Sequence, residues 1–231
     1  MIRARAGVFM ILAVVTLALA SSSRGDTLGP LLPKGTMEGG IASRSIDRTV
    51  TYSMFLEIQS HETRIEQHDI AAFGRYGVTS NATVSFELSA TPGDVAFEEA
   101  NGQLYLVGGA VQLGIWSDIH YTLSFGFHYA SFFWRNDDPG KDLEEQLLEF
   151  TFQLQRSWSL GQTAGDVWIA PMVSHFSLEA QLPANDTYQE PEDATGGLIG
   201  GNARFYEHVG AELQFLWIET SELRVAVFYR F

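Results

Sequence analysis

The chain has 231 residues, with 28 Asp and Glu against 14 Lys and Arg, a formal net charge of −14. A chain this acidic cannot neutralise a phosphate backbone, which excludes nucleic acid as a partner. It contains no cysteine, which removes a disulfide scaffold and thiolate metal sites.

Residues 1–20 open with Arg3 and Arg5 and continue with an apolar run over 8–19. Small residues in Ala18-Leu19-Ala20 precede Ser21. This is the order of a secretory signal peptide cleaved near Ala20, and the run is shorter than the roughly 20 residues a spanning helix needs. No later apolar run approaches that length. A soluble secreted protein would satisfy this, and so would a β-barrel, whose strands need about 9–11 residues each.

Residues 21–49 are rich in Gly, Pro, Ser and Arg with little periodicity, and read as a mobile leader or linker. Its cations Arg24, Lys34, Arg44 and Arg48 would suit a basic tether to an acidic wall polymer. A disordered leader is the simpler expectation.

From Val50 onward side chains alternate with period two, which a helical period would scatter around the axis. Val50, Tyr52, Met54, Leu56 and Ile58 share a face. Val84, Phe86, Leu88 and Ala90 share another. Ile119, Tyr121, Leu123, Phe125, Phe127 and Tyr129 alternate with polar or small residues, including His120 and His128. Leu148, Phe150, Phe152 and Leu154 follow, then Ala211, Leu213, Phe215 and Trp217. Weaker strands are expected near 68–78, 103–115, 166–180 and 198–206. Tight turns within 77–82, 116–118 and 207–210 alternate with long polar connections over 92–102, 135–146 and 181–197. An up-and-down barrel sorts its connections this way. A β-sandwich shares the residue alternation but has no reason to sort its loops. Ten strands fit best, with eight as the alternative. Aromatic residues gather at expected strand ends, among them Tyr76, Trp116, Phe133, Trp217 and Tyr229, as the two interfaces of a membrane favour.

The last strand is the most specific. Leu223, Val225, Val227, Tyr229 and Phe231 face one way, and Arg224, Ala226, Phe228 and Arg230 the other. An apolar face ending on a carboxy-terminal aromatic residue resembles the closing strand of bacterial outer-membrane β-barrels, where it is read as an assembly signal. The resemblance implies an all-β, antiparallel up-and-down transmembrane barrel over 50–231, preceded by a signal peptide (1–20) and a periplasmic leader (21–49). It also implies outer-membrane lipid and the barrel assembly machinery as partners.

Several polar groups are expected to face the lumen: Glu57, Glu87, Glu149, Arg204, Glu212, Arg224 and Arg230, with Gln153 and Gln155. Unpaired buried charge is costly, so these should pair across a small barrel. Acidic residues crowd the long connections, but none has the spacing of a calcium loop, so neither a metal nor another cofactor is expected. His175, Ser177 and Glu179 share one strand face. Phe176, Leu178 and Ala180 take the apolar face, which points the three inward. A His-x-Ser on a strand faintly resembles lipid A deacylase barrels, which carry Asn directly after the Ser, where this chain has Leu178. The expected function is therefore non-enzymatic: a structural or surface-interaction barrel, or a narrow solute pathway. The alternatives are a barrel enzyme acting on envelope lipid, or a secreted soluble β-sandwich.

Overall fold

The computed structural model describes residues 29–53, 60–91, 95–97, 100–136, 142–181, 187–188, 192–218 and 220–231. Within them the chain forms twelve strands and no helix. They are β1 Met37–Ser53, β2 Ser60–Thr79, β3 Ala82–Ala90, β4 Val95–Phe97, β5 Ala100–Ser117, β6 Tyr121–Asn136, β7 Asp142–Leu160, β8 Thr163–Gln181, β9 Thr187–Tyr188, β10 Glu192–Arg204, β11 Val209–Ile218 and β12 Thr220–Arg230.

Ten of them make a closed antiparallel wall. Each long strand pairs with the next, β8 pairs with β10, and β12 returns to pair with β1. The short β4 pairs with β5, and β9 pairs with both β8 and β1. Closure satisfies the edge hydrogen bonds that an open sheet would leave bare. Ten wall strands match the expectation. One ring of strands, in place of two stacked sheets, removes the β-sandwich.

The alternation sorts side chains in the reverse of a soluble protein. On β8, Trp168, Ala170, Met172 and Ser174 are buried while Val167, Ile169 and Val173 are exposed. Around the wall the outward positions carry Ile41, Phe86, Leu88, Phe152 and Leu213, each more than half exposed. The inward positions carry Arg44, Arg75, Glu87, Glu149, Glu212 and Arg224, all buried. An apolar exterior around a polar interior is the pattern of a transmembrane β-barrel. Outward aromatics lie near both ends of the wall: Tyr76, Trp116, Tyr121 and Tyr229 at one, Tyr105, Phe133 and Trp217 toward the other.

Connections sort by end. Turns at 80–81, 118–120, 161–162 and 205–208 lie at the end where β1 starts and β12 finishes, here the turn end. The longer connections, between β3 and β5, β6 and β7, and β8 and β10, lie at the opposite, loop end. The turns are chemically fixed. Gly161 takes φ 62°, which glycine adopts without strain. The Asp118 carboxylate accepts hydrogen bonds from the backbone N–H groups of His120 and Tyr121 at 2.7 and 2.6 Å.

Two expectations need correction. The wall begins at Met37, so residues 37–49 are not leader but most of β1, in register with both β2 and β12. Their inward set, Glu38, Gly40, Ala42 and Arg44, is charged or small, so the segment shows no apolar alternation. Of the strand expected from Val50 to Ile58, residues 50–53 are the end of β1, which pairs Ser53 with Ser60 of β2. Residues 54–59 and 1–28, including the expected signal peptide, lie outside the described residues.

Large side chains fill the interior opposite glycines. Phe73 lies against Gly40, Trp168 over Gly200 and Phe228 over Gly210, and a Cβ at any of these glycines would overlap the ring.

Candidate functional site

The middle of the lumen is a network of paired charges. Glu212 on β11 is its hub. It accepts two hydrogen bonds from Arg75 on β2, at 2.6 and 2.7 Å, and one from Arg224 on β12 at 2.5 Å. Gln214 donates to it as well, at 2.9 Å. Arg44 on β1 pairs with Glu87 on β3, and Arg224 lies 3.7 Å from the same Glu87. Phe73 sits between two of the cations. The guanidinium carbons of Arg75 and Arg224 lie 4.8 and 4.7 Å from its ring centroid, a cation–π arrangement that favours charge away from water. Nearer the turn end, Arg230 donates to Glu38 through Nε at 2.9 Å.

On the other side of the barrel, His128 and Glu149 meet through Nδ1 and Oε2 at 2.7 Å. Their strands place them directly opposite, and Glu149 is likewise opposite Ser174. Toward the loop end the lumen turns apolar, with Trp168, Ala170, Met172, Ala194, Leu198 and Leu216 in one cluster. Leu106, Phe132 and Leu147 are also buried there.

The turn end is partly filled by the chain's own residues 29–36. Gly29, Pro30 and Leu32 are buried, Leu32 at 1 % exposure. The Leu31 N–H donates to Gln155 Oε1 at 2.9 Å and the Leu32 N–H to Thr83 Oγ1 at 2.8 Å. Gln153 Nε2 donates to the Gly29 carbonyl at 3.0 Å. The Gly35 N–H donates to the Gly77 carbonyl, and the Gly77 N–H to the Thr36 carbonyl, at 2.7 and 2.9 Å. Glycine is required at 77, where a Cβ would run into the Pro33 carbonyl, and at 29 a Cβ would displace the Arg75 guanidinium. Beside this segment a cavity of about 760 Å3 opens to the turn end.

Of the expected lumen charges, Glu87, Glu149, Glu212 and Arg224 are buried inside, and Arg204 and Arg230 are partly buried at the turn end. Glu57 lies outside the described residues. Arg44, expected in the leader, is fully buried in the network. His120 is exposed in a turn and does not share the lumen with His128. His175 is exposed on the face that carries Val173 and Ile169, so it points outward and not, as expected, into the lumen. The side chains of Ser177 and Glu179 lie outside the described residues. In the terminal strand, Tyr229 and Phe231 are exposed at 44 % and 70 %, Leu223 and Val227 are half-buried, and Val225 is buried.

Sequence reasoning missed Glu38, Arg75 and Phe73 as network members. The clue was present on β2, where Asp69, Ala71, Phe73 and Arg75 share the parity opposite to Ile70 and Tyr76. Among the described residues no group of three His, Asp or Glu converges as metal ligands would.

No family model matches the chain, and no curated protein does. Among solved structures it is similar to the translocator domain of autotransporter NalP from Neisseria meningitidis, at 10 % identity over 99 % of this chain and 96 % of that one, with a TM-score of 0.42. It is similar to the outer membrane protease OmpT from Escherichia coli, at 8 % identity over 88 % and 97 %, with a TM-score of 0.46. An outer membrane channel from Pseudomonas putida F1 aligns at 11 % identity over 89 % and 99 %, with a TM-score of 0.41. The architecture is established by the closed strand pairing of the chain itself: an antiparallel transmembrane β-barrel of ten wall strands.

Proposed function

We propose that this chain is a bacterial outer-membrane barrel, exported with a signal peptide cleaved near Ala20, whose role is structural or surface-interacting and not enzymatic. The turn end faces the periplasm and the acidic long connections face outward. Outer-membrane lipid covers the apolar wall. The assembly machinery reads Leu223, Val225, Val227, Tyr229 and Phe231 as the closing-strand signal.

One observation carries the preference for a scaffold over a channel. Among the described residues the lumen holds the turn-end segment around Leu32, the Arg75–Glu212–Arg224 network and the apolar cluster around Leu198. A narrow solute pathway would require these to rearrange. Fractionation should recover the protein with outer membranes, with a mobility on gels that changes on boiling. Planar-bilayer recordings should show no discrete conductance steps. A soluble periplasmic pool would overturn the location, and regular steps would overturn the scaffold.

A second reading keeps one observation. His175 points outward, where a residue acting on envelope lipid would have to be. Acyl release from lipopolysaccharide or phospholipid by the purified barrel, lost in His175→Ala and Ser177→Ala variants, would replace the scaffold reading with an enzymatic one.

A further inference from the structure

The turn-end cavity gathers cations in a chain that has few. Its rim carries Lys34, Arg204 and Arg230 from three separated parts of the sequence, within a protein whose net charge is −14. Against these three cations the lining sets one acidic group, Asp166, whose carboxylate keeps its charge and is oriented by neutral donors. It accepts hydrogen bonds from Gln155 Nε2 at 3.0 Å and Ser157 Oγ at 2.7 Å. Arg230 is balanced by Glu38. Arg204 and Lys34 have no ion pair among the described residues, and Arg204 Nε is buried without a hydrogen-bond partner. A partly desolvated guanidinium with a donor left over favours a carboxylate or phosphate oxygen, because hydrogen bonds between charged partners are the strong ones. Polar groups from Ser80, Asn81 and Thr122 complete the rim.

One wall of this cavity is the turn-end segment itself. Leu31, Leu32, Pro33 and Lys34 all line it, and the backbone N–H groups of Leu31 and Leu32 donate to the Gln155 and Thr83 side chains. We propose that the turn-end cavity binds a small anionic ligand bearing a phosphate or carboxylate group, held between Arg204 on β10 and Lys34 of the turn-end segment. Because Lys34 reaches the site only while its segment is docked, ligand binding and docking stabilise each other. The site lies away from the long connections and meets the charged network only through Arg230 and its partner Glu38, so it does not depend on whether the barrel is a scaffold or a channel.

The test is a titration of the folded, full-length barrel in a zwitterionic detergent. Inorganic phosphate and pyrophosphate are the soluble probes, and short-chain phosphatidylglycerol is the lipid probe. Binding is read by calorimetry, and segment docking by hydrogen exchange at Leu31 and Leu32. Saturable binding with slowed exchange at both amides is expected. Arg204→Gln and Lys34→Gln should each weaken it by about tenfold or more, the usual loss for a charge-assisted hydrogen bond. Arg156→Gln removes an exposed cation that stacks on Tyr121 outside the cavity, and should leave binding unchanged. Boil-dependent mobility checks that each variant is folded. Tighter binding of the lipid probe than of pyrophosphate would assign the headgroup of a membrane lipid, and the reverse a soluble anion. Absence of saturable binding by any probe would overturn the site, as would equal weakening in all three variants.

Discussion

Arg75 and Glu212 lie 137 residues apart in sequence and meet across the lumen through two parallel hydrogen bonds of 2.6 and 2.7 Å. This two-pronged pairing is the strongest geometry available to a guanidinium and a carboxylate. Both side chains are buried, so neither can turn to bulk water if the other is lost.

The first prediction follows from that pair. Glu212→Gln should destabilise the barrel by about 3 kcal/mol, the lower part of the range for breaking a buried ion pair. The loss stays at that end because Arg75 retains Glu38 at 3.8 Å and Arg224 retains Glu87 at 3.7 Å. Urea unfolding in lipid vesicles measures it. Replacing both members with apolar residues of similar size, as in Arg75→Met with Glu212→Leu, should recover much of the loss. A single-variant change below about 1 kcal/mol would mean that lumenal water solvates the remaining charges.

The second concerns the turn at Asp118. Backbone hydrogen bonds from His120 and then Tyr121 hold its carboxyl below the ordinary carboxylate range. A folded pKa lower than the unfolded one gives stability that is complete above the unfolded pKa. That contribution fades as pH falls through the folded pKa. Protection of the His120 and Tyr121 amides, taken relative to their intrinsic exchange rates, should therefore fall in acid in the native protein. In Asp118→Asn it should show no such step, because the amide oxygen still accepts but does not titrate. An unchanged acid response in the variant would assign the effect elsewhere.

The third addresses the turn-end segment. Gly77→Val forces a side chain into the Pro33 carbonyl, so residues 31–36 must leave their seat while the wall around them remains paired. Limited proteolysis should cut the variant near Lys34, where the native protein resists. Boil-dependent mobility should persist. Cutting at Lys34 at the same rate in both proteins would show that the segment is not held by Gly77.

The fourth separates assembly from stability at the chain's end. Phe231 is 70 % exposed, touches the Tyr229 ring edge-on at 4.9 Å, and donates its N–H to the Met37 carbonyl at 2.9 Å. Phe231→Asp keeps the backbone bond and removes the ring. Refolding into detergent should stay near normal, while the amount of folded barrel in cells should drop. Equal losses in both would make the ring structural, and unchanged assembly in cells would remove its role as a signal.

The strands whose outward faces are continuous hydrocarbon were legible in sequence. Phe86 and Leu88 on β3, or Leu213, Phe215 and Trp217 on β11, announce a lipid-facing surface, and the loop lengths announce the barrel's two ends. β1 was not legible, because Gly39, Ile41 and Ser43 carry little apolar character on its outward side. Its membership is decided by pairing with β2 and β12, a tertiary fact no local period contains. The partners of the lumenal charges were also hidden. Parity predicts that Glu212 points inward, but only the ring closure brings Arg75 to it. The outward turn of His175 escaped because Phe176 and Leu178 suggested the opposite parity, whereas Val167, Ile169 and Val173 set the strand's lipid face.

The seam between the first and last strands places Arg44 directly opposite Arg224. Two guanidiniums facing each other there repel, and neither strand of the seam supplies the remedy. Glu87 comes from β3, one strand beyond the β2 neighbour of β1, and Glu212 from β11, the neighbour of β12. The seam is therefore an electrostatic lock with its keys held by other strands. A seam slipped along its length would carry both cations away from their acids, so the charges of four residues fit one alignment of the first strand against the last.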